Sequence, residues 1–162
     1  MTHPDAEWIT QSYRTTQWVI HRQTEGLEHH DSLLQLPFRG NCLNWVLGHT
    51  LVGRDQALIL LGREPVLSKE EADRYRTGSM PIVDDSQALR LEDLLAGIDQ
   101  AQARIESALT EVSADVLATP VDFRGRQTPL GQAVAGLHWH ETYHTGQLEI
   151  LRQLAGKDDA VI

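Results

Sequence analysis

Four long stretches of this chain repeat apolar residues every three or four positions, and almost nothing alternates. The first stripe runs through Trp8/Ile9, Tyr13, Thr16, Val19/Ile20, Gln23 and Leu27, with Gly26 as its stop. The second takes Asn41 as cap, follows Cys42, Trp45, His49, Val52, Gln56 and Ile59, and ends at Gly62 and Pro65. The third covers about residues 87–112 through Leu91, Leu94/Leu95, Ile98, Ala101, Ile105, Ala108/Leu109 and Val112. The fourth covers about 129–155 through Leu130, Ala133, Leu137, His140, His144, Gln147, Leu151 and Leu154, opened by Thr128-Pro129 and stopped by Gly156. This period belongs to amphipathic helices, not strands. Helices hide such stripes only against one another, so the predicted fold is all-α, a four-helix bundle forming one domain over residues 1–162.

Two connections matter. Residues 66–85 join helices two and three by a link longer than usual, which predicts a crossover. That link carries a capping box, Ser68 with Glu71 three positions on. Residues 113–127, with Pro120 and Gly125, read as loop.

Charge narrows the partners. The net charge is −9, from 23 acids against 14 bases. A surface that neutralises many phosphates needs the opposite sign, so no nucleic-acid partner is expected. The longest wholly apolar run is Ala57–Leu61, far short of the roughly 20 residues that cross a bilayer. Cys42 is the only cysteine, and Met1–Asp5 lacks the pattern of a signal peptide. These features together predict a cytoplasmic location with no membrane partner.

The chemistry sits where histidines replace apolar residues in two stripes. His140 and His144 are four apart, so their imidazoles leave one helix face a turn apart and can reach one metal. His49 holds an equivalent place on the second helix. Three histidines from two helices can then converge inside the bundle, where bundles build metal sites. Neutral nitrogen donors suit zinc, nickel or iron(II) better than magnesium or calcium. Three protein ligands leave a position open, the pattern of a catalytic metal that activates water or a thiol. His138 lies about 200° round the helix from His140 and falls outside this group. His3, His21, His29 and His30 read as surface residues.

His140-Glu141-Thr142-Tyr143-His144 also spells H-E-x-x-H, in which Glu141 would be the general base of a zinc protease. The extended motif needs Gly and His three and six residues past the second histidine, where this chain has Gln147 and Ile150. The only later glutamate, Glu149, belongs to the same helix. The protease reading is therefore set aside.

Asn41-Cys42-Leu43-Asn44-Trp45-Val46-Leu47-Gly48-His49 resembles the second helix of the DinB/YfiT-like proteins. His140-Glu141-Thr142-Tyr143-His144-Thr145-Gly146-Gln147 resembles their last helix, with its H-x-x-x-H-x-G-Q pattern. Thr145 stands where arginine is more usual in that pattern. The resemblance implies a four-helix bundle connected up-down-down-up, usually a homodimer. It implies a divalent metal, often zinc or nickel, on His49, His140 and His144. It also implies an enzyme that uses a low-molecular-weight thiol, such as bacillithiol or mycothiol, as cosubstrate in transfer or isomerisation.

Several neighbours are candidates for supporting roles. Glu141, Tyr143 and Gln147 flank the ligands as possible acid, base or orienting groups, and Gln56 shares the second stripe. Trp45, one turn before His49, is placed to wall the pocket, and Cys42 could approach it. The reading is a small-molecule enzyme in which the metal activates a thiol or water against an electrophile. The alternative is a non-catalytic metal-binding or interaction module on the same bundle.

Overall fold

The computed structural model describes residues 5–159; His3 lies outside them. Helix α1 (Ala6–Thr24) starts at Asp5, whose side chain accepts from the Trp8 amide. A one-turn helix α2 (His29–Ser32) follows, then α3 (Leu43–Leu60), α4 (Lys69–Tyr75) and α5 (Leu91–Glu111). After α6 (Ala114–Ala118), strands β1 (Pro120–Phe123) and β2 (Arg126–Pro129) form an antiparallel hairpin. Helices α7 (Leu130–Thr145) and α8 (Leu148–Leu154) close the chain.

The fold is mostly helical. Helices α3 and α1 each pack against both α5 and α7, so the four long helices share one core. Ile9, Tyr13, Ile20, Leu47, Leu51, Ile98, Ile105 and Val134 meet there, fully or almost fully shielded from water. Among the described residues, no helix is long and apolar enough to cross a membrane.

The first and third stripes face inward largely as the spacing predicts, except that Trp8 is exposed. The second differs. Helix α3 is buried on nearly every side from Leu43 to Val52, because α4, α5 and α7 all pack on it. A helix enclosed that way needs no stripe. Gln56 and Ile59 are exposed, while Arg54 and Asp55 are buried. Cys42, not Asn41, holds the cap position, and its thiol donates to the Ile82 carbonyl.

The capping box in the long connection is present: the Ser68 hydroxyl accepts from the Glu71 amide while the Ser68 amide donates to Glu71. Asp55 fixes the start of this connection by accepting from the amides of Val66 (2.7 Å) and Leu67 (3.0 Å).

The loop predicted over 113–127 is instead α6 and the hairpin. Arg124 and Gly125 turn it, both at positive φ (55° and 75°), as a two-residue hairpin turn requires. Thr128 and Pro129 therefore finish a strand, Pro129 and not Thr128 holds the cap position of α7, and the first amide of that helix, Leu130, donates to the Thr119 carbonyl. The single fourth helix predicted to 155 divides at Gly146-Gln147. There the Gln147 amide bonds back three residues, to the His144 carbonyl, and the ladder tightens for one turn.

Candidate metal centre

His49 lies on α3, with His140 and His144 one turn apart on α7. One ligand atom from each lies within 4.8 Å of the other two. The three rings stand nearly perpendicular in pairs, with centroids 4.6–5.0 Å apart. The Nε2 atoms of His140 and His144 are 3.2 Å apart. Two nitrogens bound tetrahedrally to one ion at about 2.0–2.1 Å would sit about 3.3 Å apart, so this pair fits a shared metal.

Two of the rings have their tautomers set. His49 Nδ1 meets the Tyr75 carbonyl at 2.6 Å, and a carbonyl only accepts, so Nδ1 carries the proton and Nε2 a lone pair. His144 Nδ1 donates in the same way to Gln147 Oε1 at 2.8 Å, leaving its Nε2 directed at His140. Such outer contacts orient metal-binding imidazoles. Burial disfavours the charged form of all three rings. It lowers His49 and His144 below the ordinary histidine value and, with His144 and His49 close by, takes His140 down to about 4. Neutral imidazoles are the form that binds metal.

Sequence and packing explain how His49 is held. Tyr75, the last residue of α4, is fully buried against Gly48. A Cβ at Gly48 would lie 2.2 Å from a Tyr75 ring carbon, so only glycine admits the ring. The Tyr75 hydroxyl donates to Asn44 Oδ1 (2.9 Å) and accepts from the Leu89 amide (2.7 Å). Trp45 stacks on His49 with centroids 4.6 Å apart and an interplanar angle of 17°, its indole N–H donating to Ser79. Trp45 thus walls the site as its spacing predicts. Cys42 is buried, and its thiol is engaged with the backbone.

The three histidines open on a cavity of about 430 Å³, also lined by Trp45, Arg39 and Ser79. A second cavity of about 340 Å³ adjoins it, lined by Leu36, Phe38, Val46, Tyr143 and Ile150. Tyr143 is exposed and meets the His144 ring edge-on. Gln147 is the residue that orients His144.

Glu141 is placed elsewhere. Its carboxylate is buried and accepts two hydrogen bonds from Arg54 (2.9 and 2.7 Å) and one from the Thr16 hydroxyl (2.5 Å). It lines neither cavity. Arg54 is the largest fully buried side chain, and it also donates to the Ile98 carbonyl and to Gln17. Reading the stripes missed it. The available signal was that α3 carries only two charged residues, Arg54 and Asp55, and so has little face to offer water.

The outer histidines divide. His21 and His30 are exposed, as predicted. His29 is not: it is buried, with Nε2 2.7 Å from Asp85 and Nδ1 accepting the Leu91 amide that opens α5. The one-turn helix α2 carries it there. His138 stays outside the cluster, edge-on to Tyr13 with centroids 5.0 Å apart.

A helical core with three converging, neutral imidazoles facing a cleft defines a helical protein with a candidate divalent-metal centre. A family model described as the DinB superfamily matches residues 2–148, and the chain belongs to that superfamily. No curated protein matches it.

Proposed function

We propose that this protein is a metal-dependent enzyme in which His49, His140 and His144 hold one divalent ion, zinc or nickel before iron. The ion activates a thiol or water toward a small electrophilic substrate. The observation that carries this reading is the pair of pinned tautomers, which leave Nε2 lone pairs for a common centre beside a cleft. Bound there, the ion would supply a Lewis acid that makes a thiol or water nucleophilic near neutral pH. The chain's own contribution is to orient the ligands through Tyr75 and Gln147, keep them neutral by burial, and shape the cavity with Trp45.

A low-molecular-weight thiol as cosubstrate, a homodimeric state, a cytoplasmic location and an up-down-down-up bundle over the whole chain complete the proposal. They rest on the family resemblance and the composition. The non-catalytic alternative draws support from the cavity linings, where no Asp or Glu among the described residues is placed to act as general base.

Elemental analysis of the purified protein beside a His140→Ala/His144→Ala variant tests the centre. About one ion per chain, lost in the variant, supports it. No metal after reconstitution refutes it. With the centre in hand, metal-dependent transfer from a thiol that disappears in His144→Ala supports the enzyme. An unaltered rate in that variant refutes this mechanism.

A further inference from the structure

The chain carries 23 acidic side chains and a net charge of −9, yet among the described residues no carboxylate lines either of the two adjoining cavities. One full charge does line them. Arg39 borders both cavities, in the bend between α2 and α3. Its side chain has no hydrogen bond or ion pair among the described residues. Many other arginines have carboxylate partners, among them Arg14 with Glu106, Arg54 with Glu141, Arg63 with Glu111 and Arg152 with Asp159; among the described residues Arg104, Arg124 and Arg126 also lack one, but they border neither cavity. An arginine left free in so acidic a chain, at a cleft cleared of carboxylates, is placed to meet an anion. Guanidinium suits carboxylate in particular, because its N–H groups match two oxygens.

The rest of the lining sets the body of that anion. Leu36, Phe38, Val46 and Ile150 make the second cavity apolar, and its 340 Å³ falls at the lower end of small-molecule sites. Trp45 and His144 lie in the wall common to both cavities, so a ligand there passes directly beside the histidines.

We propose that the cleft binds a small organic carboxylate with an apolar body, its carboxylate on Arg39 and its chain along Phe38, Val46 and Ile150. This deepens the proposed function by naming a substrate class, and it rests on that reading only for the reaction that follows binding. The absence of carboxylates sets the sign of the selection, since no anionic group among the described residues of the lining would form an ion pair with a cationic ligand.

Hexanoate and its neutral counterpart hexanamide are suitable probes, titrated calorimetrically into the full chain in metal-free and zinc-loaded forms. In the metal-free protein, hexanoate should bind at least about tenfold more tightly than hexanamide. Arg39→Gln, an exposed change, should remove that preference and leave the zinc content unchanged. Equal binding of the two probes, or no binding of hexanoate to either form, would overturn the proposal. So would a preference that survives in Arg39→Gln, or one confined to the zinc-loaded protein, which would place the carboxylate on the metal. A protein that takes up no zinc but keeps the Arg39-dependent preference would refute the metal centre and leave the carboxylate site standing.

Discussion

Replacing Glu141 by glutamine separates a structural role from a catalytic one. In the native protein two guanidinium N–H groups of Arg54 and the Thr16 hydroxyl all donate to this carboxylate, in a region closed to water. Glutamine keeps the shape but turns one acceptor into an NH₂, which faces donors. Arg54 then stays charged and buried with no carboxylate beside it, only the remaining amide oxygen at position 141, the Ile98 carbonyl and Gln17 to accept from it. Two charge-assisted hydrogen bonds are each worth about 1.5–3 kcal/mol. Breaking one side of a buried pair costs about 3–5 kcal/mol, so the two estimates agree. A chain of this size loses about 2–4 °C in Tm per kcal/mol, which places the fall at about 6–20 °C. Calorimetric melting of the metal-free protein measures it, with urea unfolding as a second probe. The double change Arg54→Met/Glu141→Leu should recover most of the loss, because an apolar pair leaves no buried charge. Refutation would be a Glu141→Gln protein within about 1 kcal/mol of the wild type, or one equally stable that has lost metal-dependent turnover. The second result would return Glu141 to the chemistry.

Gly48→Ala puts a methyl into the Tyr75 ring and should cost about 1–3 kcal/mol in urea unfolding, with weaker zinc binding because the carbonyl on His49 moves. Gln147→Leu should leave the fold intact and weaken zinc by about 10–100-fold in competition titrations with a chelator, since His144 loses the acceptor that fixes its tautomer. The metal-free protein should lose stability as the pH falls from about 7 to 5. Burial lowers His49, His138, His140 and His144, so below the ordinary histidine value near 6.5 the unfolded chain binds more protons than the folded one. Urea midpoints across that range check the slope, and a flat profile would contradict it.

What the sequence told of the site and what it hid have separate causes. His140 and His144 were legible because a helix turn brings positions four apart to one side whatever surrounds them. His49 was legible because it interrupts an apolar run. Arg54 was hidden because an arginine in a helix ordinarily faces water, and its burial follows from α4, α5 and α7 closing round α3, which is tertiary information. His29 was hidden for the same kind of reason: its partners, Asp85 and the Leu91 amide, come from the far end of the long connection. The hairpin escaped notice because its strands are short and not apolar, and Arg124-Gly125 lacks the usual Asn-Gly or Asp-Gly turn signal. Gln147 stood out by its place in the stripe, but its bond to His144 depends on the tightened turn at Gly146.

The carbonyl that fixes His49 belongs to Tyr75, and Tyr75, though its ring joins the core, belongs to the connection between two long helices and to neither helix. Docking of α4 and readiness of the imidazole are therefore a single equilibrium viewed from two positions. An ion that favours the ready ring must disfavour the undocked state of α4 by the same free energy, since linkage is reciprocal. Amide exchange along residues 69–75 then becomes a gauge of occupancy at a nitrogen that none of those amides touches.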